Sequence, residues 1–112
     1  MTDRVFVDTN VLVYAYDRSE PDKQQMALQV LNQLHATHSG VISTQVLSEF
    51  FVTVTRKLKP QLSPEDAYER IKNYVQAWET VDMTAAIILE AARGVRDDQF
   101  SFWDAQIWAA AR

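Results

Sequence analysis

The apolar positions of the chain change period several times, and each change marks an element. Arg4-Val5-Phe6-Val7 is a short apolar run that stops at Asp8 and reads as a buried strand. Residues 10–16 suit a short helix, with Thr9 or Asn10 as its cap. Ser19-Glu20-Pro21-Asp22 has the acidic first turn and early proline of a helix start. Met26, Val30 and Leu34 then recur at helical spacing, with Leu28 and Leu31 widening the stripe, and Ser39-Gly40 ends the helix. A second strand is expected at 41–43, then a helix capped by Thr44 and running to about residue 57, before the break at Pro60. Ser63-Pro64-Glu65-Asp66 joins a capping box to a proline at the first helical position. The helix it opens carries Ala67, Ile71, Tyr74, Val75 and Trp78 on one side. A very short third strand is expected at 80–81, a helix over 84–95, and a last helix opening at Ser101-Phe102-Trp103-Asp104.

This alternation predicts an α/β domain around a short parallel sheet with right-handed crossovers. In such sheets ligands bind outside the carboxyl ends of the strands, where the strand order reverses, and Asp8 lies at a carboxyl end. The 112 residues suit one domain over 1–112, and 47% hydrophobic with 23% charged residues is the balance of a chain with a packed core. Cysteine is absent, which removes disulfides, thiolate metal sites and cysteine nucleophiles. No apolar run approaches the ~20 residues of a membrane span, and the amino end lacks a signal-peptide pattern, so a cytoplasmic protein is expected. A net charge of −4 argues against a passive nucleic-acid coat. It argues less against a nuclease, because a carboxylate site changes sign once divalent ions load into it.

Three acids stand apart from the rest. Asp8 is the only charged residue in VFVDTNVLVYAY, Glu49 in ISTQVLSEFFVTVT, and Asp104 in QFSFWDAQIWAAA. A carboxylate among apolar residues loses hydration, which must be offset by an ion pair, a capping role, protonation or a metal ion. Converging carboxylates repel one another unless a cation neutralises them, and oxygen-only ligands suit Mg²⁺ or Mn²⁺. Each acid also has a plain structural reading. Asp8 suits a cap with Thr9 and Asn10, Glu49 suits a pair with a distant arginine, and Asp104 closes a capping box with Ser101.

The segment Val5-Phe6-Val7-Asp8-Thr9-Asn10-Val11-Leu12-Val13-Tyr14-Ala15 resembles the opening strand and turn of the PIN domain, most of all the toxin subunits of VapBC-type toxin–antitoxin pairs. Ile42-Ser43-Thr44-Gln45-Val46-Leu47-Ser48-Glu49-Phe50 resembles that family's second motif and Ser101-Phe102-Trp103-Asp104-Ala105 its third. The resemblance implies a three-layer α/β/α fold and a Mg²⁺- or Mn²⁺-dependent endoribonuclease that hydrolyses RNA. It also implies a homodimer inhibited by a protein antitoxin. By motif match Asp8, Glu49 and Asp104 are the expected metal-binding and catalytic acids, with Asn10 and Thr44 as supporting polar groups. The family pattern continues past its third acid into a further strand with a fourth acid. This sequence stops at Arg112, so that strand is expected to be missing, through trimming or a naturally short domain.

Other features weigh less. Arg56, Lys57 and Lys59 suit the carboxyl end of a helix by dipole alone, or a contact with RNA phosphate or an acidic partner. His35 and His38 lack ligand spacing to the motif acids and are expected at the surface, while the tryptophans are expected in the core or a dimer contact. An aspartyl phosphotransferase would want a second Asp where Asn10 stands, and a receiver-type phosphoacceptor would want acids beside Asp8. The stronger rival to the enzyme is a non-catalytic interaction module of the same fold, its acidic site incomplete.

Overall fold

The computed structural model describes residues 4–98. Its elements are β1 (Val5–Phe6), α1 (Thr9–Tyr14), α2 (Pro21–Thr37), β2 (Gly40–Ser43), α3 (Thr44–Arg56), α4 (Pro64–Ala77), β3 (Glu79–Val81) and α5 (Ala85–Asp98). The chain forms two compact units, Met1–Thr80 and Val81–Arg112. The three strands make the short parallel sheet expected, surrounded by helices. Val5 faces Gly40 and Phe6 faces Val41, with Val5 N–H bonded to the Ser39 carbonyl at 2.8 Å and Val7 N–H to that of Val41 at 2.9 Å.

The strand order is β1-β2-β3, so among the described strands it never reverses. The expected switch point is therefore not there, and Asp8 owes its position to the carboxyl end of β1 alone. Every residue of β2, the central strand, is buried. β1 lies at an edge instead, which leaves Val5 42% exposed where a buried strand was expected; only Val7 of that run is fully covered.

In the first unit α3 supplies the densest packing. Val46, Leu47, Phe50 and Val54 follow helical spacing and are all buried, Phe50 and Val54 completely. Phe50 meets Tyr16 at 5.6 Å between ring centroids and the edge of Tyr74 at 5.9 Å, while Tyr74 stacks on Trp78 at 5.1 Å. The Tyr16 and Tyr74 hydroxyls share a hydrogen bond of 2.8 Å. Burial, and then the neighbouring Tyr16, push the Tyr74 phenol well above its ordinary range, so it stays neutral.

Local signals set the start of α4 as expected: the Ser63 hydroxyl accepts from Asp66 N–H, with Pro64 opening the helix. Thr84, expected as the first residue of the next helix, instead precedes α5 and accepts from Ile87 N–H through its hydroxyl. Elsewhere neighbouring residues exchange roles. Asp8, not Thr9 or Asn10, caps α1; Ser43, not Thr44, caps α3 by accepting from Val46 N–H. Gly40 does not end α2. His38 takes the left-handed position at φ 54°, Ser39 N–H reaches back to the Leu34 carbonyl, and Gly40 opens β2. The buried face of α2 also differs from the expected stripe. Ala27, Leu31 and Leu34 are covered, whereas Met26 (66% exposed), Leu28 and Val30 face outward. Small Ala27 belongs to the buried face; the Met26–Val30 row is offset from it by one residue, about 100° around the helix axis.

Gly40 serves a different purpose from the one its position suggested. A Cβ there would lie 2.9 Å from three atoms of the Trp78 indole, inside contact distance. Trp78 is buried and held against Tyr74, so the ring has little room to retreat. Gly40→Ala is therefore expected to cost about 1–3 kcal/mol through overpacking. Thermal unfolding checks this, and an unchanged midpoint would mean that the indole yields freely.

Candidate active site

The site is assembled where β1 ends and α1 and α3 begin. Asp8 leaves the strand with extended backbone angles, and its Oδ1 accepts from Asn10 N–H at 3.3 Å. The capping role anticipated for it is thus present, but it engages only one oxygen, and weakly. Thr9 is buried, and its hydroxyl donates to Glu49 Oε2 at 2.9 Å across forty positions of sequence. Gln45, one turn before Glu49 on α3, donates its amide to Oε1 at 3.3 Å. Each oxygen of Glu49 therefore accepts one neutral hydrogen bond, and the carboxylate is aimed by two groups while remaining exposed.

Neither Asp8 nor Glu49 takes part in an ion pair among the described residues, whose four pairs involve Arg4, Arg93 and Arg96. The arginine partner that would make Glu49 an ordinary surface acid is absent among them. What remains is a pair of hard oxygen donors, partly hydrogen-bonded by neutral groups and with lone pairs to spare. That donor set fits Mg²⁺ or Mn²⁺ and does not fit a soft, thiolate-type metal. Among the described residues no group of three or more His, Cys, Asp or Glu side chains converges. Asp104, the third expected acid, lies outside the described residues, as do Ser101, Trp103 and Trp108.

The expected supporting residues fare unevenly. Asn10 touches Asp8 through its backbone N–H, and its residue is exposed. Thr44 is the first residue of α3 and is exposed, one position after the buried Ser43 that does the capping. Sequence reasoning missed Thr9 and Gln45 as positioning groups. The signal for Gln45 was available, since i and i+4 share a helix face; that for Thr9 was not, because its partner lies on another element. Of the remaining acids, Asp17 bonds the Ser19 hydroxyl at 2.6 Å in a local turn. Asp97 is held below the usual carboxylate range by its hydrogen bond to Arg96, and it is exposed. His35 and His38 are exposed, as expected, and Trp78 is a core residue.

A family model described as the PIN domain matches residues 5–112, nearly the whole chain. The chain belongs to the PIN domain family. A search of curated proteins finds no match. PIN domains are generally nucleases acting on RNA or other nucleic acid, and metal-using sites are typical of them. No helix among the described residues is long and apolar enough to cross a membrane.

Removing the Thr9 hydroxyl tests whether Glu49 is positioned for an ion. Thr9→Val is nearly isosteric, and it is expected to weaken Mn²⁺ binding by roughly 10–100-fold, the usual cost of losing a group that orients a ligand. Thr9→Ser is expected to retain the affinity. Calorimetric titration of the folded variants reads both, and equal affinities for Val and Thr would rule out the positioning role.

Proposed function

We propose that this PIN domain is a divalent-metal-dependent endoribonuclease with Asp8, Glu49 and Asp104 as its metal-holding acids. The observation that carries the reading is the Thr9–Glu49 hydrogen bond, which ties the second-motif acid to the residue following the first-motif acid. Family membership supports the reaction class, and the oxygen-only donors support Mg²⁺ or Mn²⁺. When bound, the ion would activate water and offset charge on the phosphate. Asp8 supplies an oxygen from the rim of the sheet, and Thr9 and Gln45 keep Glu49 turned toward it. In the net reaction the water oxygen adds to phosphorus as the bond to the leaving oxygen breaks, and that oxygen takes the proton.

A toxin role in a type II toxin–antitoxin pair, with a protein antitoxin and a homodimeric state, rests on the motif resemblance. One surface adds support for a protein partner. Val11, Tyr14, Lys23, Met26, Ala27 and Val30 line an apolar groove of about 420 Å³ between α1 and α2. The same groove favours the second reading, a PIN-fold interaction module that no longer cuts.

The deciding experiment is cleavage of a structured RNA by the purified chain with Mn²⁺ or Mg²⁺, against EDTA. Asp8→Asn keeps an equally good helix cap, so it should fold normally. It is expected to lower cleavage by roughly 100-fold or more, beyond the cost of losing a mere orienting group. Cleavage that ignores EDTA or survives Asp8→Asn would sink the proposal, and a folded chain that never cuts would favour the module.

A further inference from the structure

We propose that the exposed strip of α3 running from Glu49 to Arg56, continued by Lys57 and Lys59, is a track for the sugar–phosphate backbone of RNA approaching the acids. The proposal rests on the nuclease reading and adds where the substrate lies. Burial of Val46, Leu47, Phe50 and Val54 fixes the rotation of α3. Gln45, Glu49, Val52 and Arg56 therefore fall on the opposite side at i, i+4, i+7 and i+11, and Glu49, Val52 and Arg56 are exposed. Arg56 stands seven residues from Glu49, close to two turns, which is about 10 Å along the axis. At a rise of 3.4 Å per nucleotide in a stacked strand, that is roughly three nucleotides from the acids.

The three cations have no structural duty that would explain them. None enters an ion pair among the described residues. Among the last four carbonyls of α3, those of Thr53, Val54 and Arg56 are already bonded by neutral donors. Lys57 and Leu58 N–H reach Thr53, Leu62 N–H reaches Val54, the Thr55 hydroxyl reaches Phe51, and the Gln61 amide reaches Arg56 at 2.9 Å. The side chains are thus not needed as caps, and only the weak, screened attraction to the helix dipole remains. Leu58, between Lys57 and Lys59, is buried and fixes the turn that presents them. In a chain of net charge −4, Arg56 at the far end of the face that carries Glu49, with the exposed Lys57 and Lys59 following it in the chain, gives a polyanion a favourable approach.

The test is binding of a fluorescent ten-nucleotide single-stranded RNA, in EDTA, by anisotropy over a series of salt concentrations. The proteins are the wild-type chain, the triple variant Arg56→Gln/Lys57→Gln/Lys59→Gln, and Lys72→Gln on exposed α4 as control. The triple variant is expected to bind about tenfold more weakly at low salt, with a slope of log K on log salt flatter by about 2, the share of three phosphate contacts on a single strand. Lys72→Gln should match wild type, and a dinucleotide, too short to reach, should not distinguish the proteins. An unchanged slope in the triple variant overturns the track. Weaker binding with the same slope and a lower unfolding midpoint also overturns it, because that is the signature of a helix-end role. Cleavage with Mn²⁺ is scored separately: a wild-type chain that cuts beside an unchanged slope loses only the track, whereas a flatter slope in a chain that never cuts loses the nuclease reading.

Discussion

The rotation of α3 is the constraint on which this molecule turns. Val46, Leu47, Phe50 and Val54 can be buried in only one orientation of the helix, and Phe50 alone, fully covered, contributes about 1.5–3 kcal/mol to holding it there. Tyr16 from the end of α1 and Tyr74 from α4 close on the same ring. Once that face is inside, the opposite face has no freedom: Glu49, braced by Gln45, meets Thr9, and Arg56 lies two turns along. The candidate functional surface is here the complement of a core surface, and the two cannot be changed independently.

The site shows how neutral hydrogen bonds organise charge. A carboxylate paired with arginine would be spent, its lone pairs filled and its charge cancelled. Glu49 is held instead by a hydroxyl and an amide, which restrict its rotamer and leave the charge in place. Asp8 follows the same rule in a looser form, with one long bond from a backbone N–H. Both acids are thus positioned without being neutralised, the condition a cation-binding site needs.

What could be read from the residues divides along the range of the interactions. The cap at Ser63 was legible because donor and acceptor lie within three residues of each other. Asp8 and Glu49 stand out as candidates because an isolated charge in an apolar run is unusual whatever the fold. The face of α2 was not legible, because Met26-Val30-Leu34 and Ala27-Leu31-Leu34 are equally periodic and only packing against other elements selects between them. Gly40 was misread for a similar reason: glycine after a helix suggests a left-handed cap, yet His38 bears that strain and the missing Cβ makes room for an indole from beyond α4. Thr9 was invisible as a partner of Glu49, since forty residues separate them.

One residue, Ser39, separates the left-handed end of α2 from β2, and nothing separates β2 from α3, since Ser43 is both the last residue of the strand and the cap of the helix. From Pro21 to Arg56 the chain therefore has no slack. Insertions or deletions there would shift the register of β2 against β1 and turn Glu49 away from Thr9 together. Length variation must be accommodated elsewhere, in the turn before α2 or between Arg56 and Pro64, and the second of these is where the basic residues sit. The chain is thus rigid in the part that aims the acid and open to remodelling in the part that meets the surroundings.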